Sequence, residues 1–322
     1  MGKLLRSAAL AVAAMMAMAF SAIPPAYAGK DQRAKASVKK RLAAKKKAVA
    51  RKAAARPPVR GHKARSHADA GDPLVRSASA LVADPSSGEV LFEKNPDAVL
   101  PIASITKLMT AMVVLDAGLD SAEPLAVTEQ DVDLLRGSGS RLAVGSVLPR
   151  AELLRLALMS SENRAAHALS RNYPGGTAAF VAAMNRKARE IGLSDTRFSD
   201  PTGLAASNVS SARDLAKMVG VAARYPAIRE FTTTAAYTVE LKGRAHEFRN
   251  TNVLVRNSDW EIGVSKTGYI SEAGRCLVMM AQLAGRPVII VLLDSWGKLT
   301  RIGDANRIRR WVENGSAFSR AG

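Results

Sequence analysis

Ser104-Ile105-Thr106-Lys107, continued by Leu108-Met109-Thr110-Ala111-Met112-Val113-Val114, is the stretch from which the rest of the chain is read. Ile105, Leu108, Met109, Met112 and Val113 fall at the i, i+3, i+4, i+7, i+8 spacing of one helical stripe. Pro101 closes the approach and Gly118 is the expected stop. Ala103, Ala111 and Val114 make the remaining face nearly as apolar, so this helix is expected to be buried on most sides and to carry its one lysine inside. No acid stands three or four residues from Lys107 in either direction. Desolvation drives a buried ammonium without a carboxylate toward its neutral form, which can take a proton from a hydroxyl one turn away. Ser104 and Lys107 are therefore a candidate nucleophile and base. A surface lysine one turn after a capping serine spells the same four letters, so the assignment needs further pieces.

Before this helix, residues 79–83 and 89–93 flank Asp84-Pro85-Ser86-Ser87-Gly88 and predict a hairpin. After it the signals are mostly helical and short. Helices are expected over 150–159 and 164–170, with Ser160-Ser161-Glu162-Asn163 as the turn between them. Another should be capped by Thr177 and end near Gly192, and a further one should open at Ser211 and stop before Pro226. Asp200-Pro201-Thr202-Gly203 is a turn. Period-two alternation starts at Tyr237, Val239 and Leu241. Strands over 262–269, 275–283 and 287–294 follow, joined by hairpin-length loops that make them antiparallel neighbours. A helix from Leu299 to about Asn314 closes the pattern. The fold class is mixed α/β of the α+β kind: an antiparallel sheet from both chain ends, with flanking helices and a mostly helical insert.

Two more pieces carry chemistry. Ser161 and Asn163 are ordinary capping residues, yet a second hydroxyl can relay a proton to or from Lys107, and an amide side chain can hold a peptide group. Lys266-Thr267-Gly268 lies on a predicted strand, where a lysine and a hydroxyl can meet a carboxylate and a glycine lets another backbone come close.

The ends of the chain differ. Lys3 and Arg6 precede an apolar run from Ala8 to about Ile23, and Ala26-Tyr27-Ala28 is a small-x-small cleavage pattern, so residues 1–28 are expected to be a signal peptide and the mature protein exported to the periplasm, soluble or peripherally bound. Residues 29–70 form a basic Ala/Lys/Arg-rich linker. Within it, 15 Lys and Arg stand against Asp31 and Asp69, which accounts for most of the net charge of +19. Without an apolar stripe this linker should be disordered or transiently helical, attracted to anionic envelope surfaces and to no specific nucleic acid sequence. Cys276, the only cysteine, excludes an internal disulfide. His62, His67, His167 and His246 lack metal-ligand spacing, so neither metal nor cofactor is expected.

With S-x-x-K at a helix start, a Ser-x-Asn in an interhelical turn and K-T-G on a late strand, residues 75–314 resemble the low-molecular-mass penicillin-binding proteins, D-alanyl-D-alanine peptidases of the S11 type. Asp200-Pro201-Thr202-Gly203-Leu204 and Ser211-Ala212-Arg213-Asp214-Leu215 resemble stretches of that family as well. The resemblance implies a β-lactamase/transpeptidase-like fold over residues 71–322, with Ser104 as the acylated nucleophile, Lys107 as its base and Ser161 as proton relay. It also implies that Asn163 holds substrate, that Lys266 and Thr267 engage the substrate carboxylate beside Gly268, and that the amides of Ser104 and Tyr269 form the oxyanion hole. The middle piece departs from the family's Gly or Asp by carrying Glu162. The substrates implied are peptidoglycan peptide cross-links, with β-lactams as covalent inhibitors. Carboxypeptidase members carry a second β-rich domain and an amphipathic anchor. This sequence ends soon after its closing helix, so it resembles the DD-endopeptidases that cut D-alanyl to diaminopimelyl cross-links, with carboxypeptidase activity as the alternative. A β-lactamase would need a deacylating glutamate, for which Glu190 or Glu230 would have to serve. A wall-binding module that acylates without turnover would keep the same groups.

Overall fold

The computed structural model describes residues 71–315; the expected export signal and basic linker fall outside the described residues. The chain opens with a hairpin of β1 (Ser79–Ala83) and β2 (Val90–Lys94). β3 (Leu100–Pro101) leads into a single 3-10 turn, Ala103–Ile105, and then α1 (Thr106–Asp116). β4 (Pro124–Ala126) pairs with β5 (Val147–Pro149), and α2 (Arg150–Met159), α3 (Asn163–Arg171) and α4 (Gly176–Glu190) follow. β6 (Val209–Ser210) returns to pair with β3, ahead of α5 (Ala212–Ala222) and α6 (Pro226–Thr233). A hairpin of β7 (Ala236–Leu241) and β8 (Arg244–Arg249) precedes β9 (Glu261–Ile270), β10 (Gly274–Leu283) and β11 (Arg286–Ser295), and α7 (Thr300–Glu313) closes the chain.

The main sheet is antiparallel with strand order β2-β1-β11-β10-β9, so both chain ends build it as expected. Its inner strands β1, β11 and β10 carry near-continuous apolar runs because both faces are covered. Leu81, Val278, Ile289, Val291 and Leu293 point into the larger core with α1 and α5, whereas Ala80, Val82, Leu277, Met279, Ile290 and Leu292 face Ala305, Ile308, Trp311 and Val312 of α7. α1 is the centre of the larger core: Thr106 through Val114 are all buried, on every face of the helix. Truncating Leu108, Met109 or Met112 to alanine would cost about 2–5 kcal/mol each. No helix among the described residues is long and apolar enough to cross a membrane.

The differences from the sequence expectation have local causes. α4 starts at Gly176 after the left-handed Gly175, and Thr177 does not cap it; its hydroxyl meets that of Ser170 instead. β8 is not among the expected strands because Arg244-Ala245-His246-Glu247-Phe248-Arg249 buries only Phe248, too little for a period-two signal. Lys242 and Gly243, both at positive φ, make its two-residue turn. α6 is opened by Pro226 at its first position, where the missing N–H costs nothing.

Candidate active site

Ser104 sits in the 3-10 turn at the mouth of α1, with Lys107 one turn on. Lys107 is completely buried. Its Nζ lies 2.8 Å from Ser104 Oγ, 2.7 Å from Asn163 Oδ1 and 2.7 Å from the Thr202 carbonyl oxygen. The last two can only accept, so the two N–H groups of a neutral amine go to them and its lone pair faces the Ser104 hydroxyl, which then donates. Burial lowers the Lys107 pKa to about 7, against an opposing pull from the carboxylates of Asp200 and Glu162. At neutral pH the amine is thus poised to accept a proton, and the neighbouring hydroxyl is the one group in contact that can supply it.

Ser161, at φ +63, is the middle residue of the turn between α2 and α3 and accepts a hydrogen bond of 2.9 Å from Lys266 Nζ, which also donates to the Thr267 carbonyl at 3.0 Å. Lys266 is 1% exposed, the reverse of a solvent-facing strand lysine. Its pKa is pushed well down by burial, then by the charges of Lys107 and Arg301. Thr267 Oγ1 donates to Thr251 Oγ1 at 2.6 Å. Tyr269 follows on β9 with its ring exposed beneath the Arg275 guanidinium, 4.6 Å from the ring centroid. Arg301, mostly buried, donates to the carbonyls of Gly268 and Cys276 at 3.2 and 3.3 Å. The expected site residues on α1, the interhelical turn and β9 therefore converge.

Two of them behave differently from expectation. Gly268 makes room for the chain's own backbone: a Cβ there would stand 2.7 Å from the Ile102 carbonyl oxygen and 3.3 Å from Ser104 N. Asn163 has both ends of its amide engaged, Oδ1 by Lys107 and Nδ2 by Ser138 Oγ at 3.0 Å, so it positions the base whatever else it holds.

Sequence reasoning singled out the Asp200 turn but gave it no task. Asp200 gathers the N–H groups of Thr202, Gly203 and Ala205 and the Thr202 hydroxyl, and this aims the Thr202 carbonyl at Lys107. Asn208, not singled out, ties that turn to the Thr106 hydroxyl. Gly203, at φ +81, presses so closely on Ala103 that a Cβ would lie 1.9 Å from its carbonyl oxygen. Asp-Pro-Thr-Gly is the signal that an Asx-type turn would be held rigid here. Ala103 (φ +48) and Ser161 are two of the six described non-glycine residues in the left-handed region, so some of the backbone strain lies at the site. Glu190, at the end of α4, is exposed, and Glu230 pairs with Arg155 at 2.7 Å, so neither joins this cluster. His167 is taken by Asp131 at 2.8 Å, and no metal-binding cluster occurs among the described residues.

A family model described as D-alanyl-D-alanine carboxypeptidase, peptidase S11, matches residues 66–297. The chain belongs to the S11 family. Among S11 relatives, a D-alanyl-D-alanine endopeptidase of Pseudomonas aeruginosa is 50% identical over 251 residues, covering 76% of this chain and 81% of the relative. Another D-alanyl-D-alanine endopeptidase, from Escherichia coli K12, is 45% identical over 77% of this chain and 81% of its own length. The crystal structure of the Streptomyces K15 DD-transpeptidase superposes with a TM-score of 0.70 at 28% identity, over 74% of this chain and 98% of that one. The fold is accordingly of the DD-transpeptidase kind.

Proposed function

We propose that this chain is a peptidoglycan DD-peptidase that works through an acyl-enzyme on Ser104 and acts chiefly as an endopeptidase on D-alanyl cross-links. The observation that carries the reading is the buried Lys107 amine, 2.8 Å from Ser104 Oγ, with its other contacts to groups that can only accept. Ser104 Oγ attacks the D-alanyl carbonyl carbon while its proton passes to Lys107 Nζ. The carbonyl oxygen, negative in the intermediate, is met by the backbone amides of Ser104 and Tyr269. Collapse breaks the peptide C–N bond, and the leaving amine takes a proton from Lys107, with the Ser161 hydroxyl as relay. Water then adds to the ester and returns Ser104 to its starting state. Asn163 holds the acyl peptide, and Lys266 with Thr267 the carboxylate of the leaving residue, beside Gly268. β-Lactams enter as acyl-D-alanine mimics; a related structure, penicillin-binding protein D2 of Listeria monocytogenes, is of an ampicillin-bound form.

The endopeptidase emphasis is supported by relatives of that name at 50% and 45% identity, while relatives named carboxypeptidases stand at 34% and below. Digestion of purified peptidoglycan tests it: loss of cross-linked dimers supports the reading, and loss of terminal alanine with dimers intact makes the enzyme a carboxypeptidase. We further propose that residues 1–28 direct export to the periplasm, that residues 71–322 are the catalytic domain, and that the basic residues 29–70 concentrate it on anionic envelope surfaces, an attraction reaching about 8 Å at physiological salt. Mature protein should bind isolated sacculi more tightly than a chain starting at Asp72, by a margin that shrinks as salt is added; equal binding at low salt would leave the segment a spacer.

A further inference from the structure

Two cavities flank the cluster and differ in character. One of about 250 Å³ includes Asn163 and Thr202 and is walled largely by apolar groups such as Leu134, Leu135 and Leu204. The other, about 400 Å³, is lined by Gly139, Ser140, Arg141, Ser160, Glu162, Arg249 and Thr251, and is mostly polar. The second borders the side of the site that faces the leaving residue. Thr251 is hydrogen-bonded to Thr267, and Ser160 and Glu162 enclose Ser161, the partner of Lys266. A leaving group that is a single D-alanine ends at Lys266 and Thr267 and has no use for this space. A leaving chain with further residues needs space beyond them, and this cavity offers it beside Thr251.

The charges in this cavity are arranged unequally. Arg249 is held by Glu247 through two bonds of 2.9 and 3.1 Å. Glu162 is buried in the wall and accepts from Ser140 Oγ at 2.6 Å. Arg141 is exposed, donates one N–H to the Glu247 carbonyl at 2.7 Å, and makes no ion pair among the described residues. Its guanidinium lies over the Phe248 ring, 5.4 Å from the centroid, which holds it in place while leaving most of its donors available. Arg141 also borders the next cavity, about 370 Å³, which Lys242, Arg244 and His246 line, so the positive lining continues away from the nucleophile.

We propose that the cavity at Arg141 is the leaving-chain subsite, and that Arg141 reads a carboxylate that chain carries beyond the scissile bond. This deepens the endopeptidase reading and rests on it. The planar fork of Arg141 suits a carboxylate, and the basic groups beyond it suit a leaving chain that carries further acidic groups.

The test compares wild type with Arg141→Ala, Arg141→Lys and Arg141→Glu on a purified cross-linked muropeptide dimer and on a monomeric pentapeptide. A charge-assisted hydrogen bond lost from the leaving chain should lower the dimer-to-pentapeptide ratio of kcat/KM about tenfold in Arg141→Ala, chiefly through KM, more in Arg141→Glu and less in Arg141→Lys. Amidating the carboxylates of the dimer's leaving chain other than the one next to the scissile bond should lower the wild-type ratio to that of Arg141→Ala. An unchanged ratio in Arg141→Ala, with dimers still cleaved by wild type, overturns the subsite and leaves the endopeptidase reading standing. Equal losses on both substrates also overturn it, making Arg141 a brace for the Glu247 backbone. A wild type that takes penicillin on Ser104 but cleaves no dimer overturns both.

Discussion

Two regions of this molecule bury charge in opposite ways. Beside α3, Asp131 has no exposed side chain and is surrounded by partners: His167 Nδ1 at 2.8 Å, Arg171 Nη2 at 3.0 Å and the Thr128 N–H at 2.7 Å. Burial alone would raise its pKa, but the bonds from His167, Arg171 and Thr128 outweigh it and bring the carboxyl down to about 2. In the cleft, Lys107 and Lys266 are buried at least as deeply, yet every hydrogen bond they make goes to a hydroxyl or an amide oxygen. No carboxylate touches either amine, desolvation outweighs the distant pull of Asp200 and Glu162 on Lys107, and both pKa values fall. Charge with an opposite partner holds the fold; charge denied one is kept ready to move a proton.

The sharpest way to break this comparison is to remove the cleft groups. Ser104→Ala should abolish covalent labelling by penicillin, and Lys107→Ala should slow it by about 10²–10⁴-fold, with the circular dichroism spectrum retained in both. Labelling that survives in Ser104→Ala would move the nucleophile elsewhere. On the paired side the effect should fall on stability. Asp131→Asn is expected to lose about 3 kcal/mol, a drop of about 6–12 °C in melting temperature at pH 7. Because the folded-state pKa of Asp131 is depressed, that advantage is present above about pH 4 and should vanish as pH falls through about 2. A difference that persists at pH 2 would mean the partners contribute by packing and not by charge.

Proton linkage in the cleft acts in a higher pH range than at Asp131. Acylation by wild type should rise with pH around a midpoint near 7, since the neutral Lys107 is the base. A profile flat from pH 5 to 9 would deny it that role. Between about pH 7 and 10.5 the unfolded chain holds a proton on Lys107 that the folded chain lacks, so wild-type stability should climb relative to Lys107→Ala by up to about 1.4 kcal/mol per pH unit. Parallel stability curves would show that the amine is charged in the folded protein.

The paired and unpaired regions were not equally legible in the sequence. Lys107 announced itself because an otherwise apolar α1 offered it no acid, and Ser161, Asn163 and Lys266 because their elements could be placed around it. Asp131 gave no sign: its partners on α3 lie more than thirty residues away, and a 3-10 turn beginning at Glu129 has no hydrophobic period. The Thr202 carbonyl was equally hidden, since a backbone oxygen leaves no letter in the sequence and only the Asp-Pro-Thr-Gly turn hinted at its rigidity. Most of the sheet was legible from its apolar runs. The β7–β8 hairpin was only half so, because β8 buries a single side chain and its other residues are those of an exposed surface.

The close approaches at Gly203 and Gly268 also set when the site can come into being. The turn bearing Ser104 is gripped by a segment some hundred residues downstream and by β9, near the end of the chain. As the polypeptide emerges N-terminus first, nucleophile and base are present early, but the turn is not held from both sides until β9 reaches its place against it. A chain interrupted before residue 261 therefore carries Ser104 without Lys266, Thr267 and the close packing of Gly268.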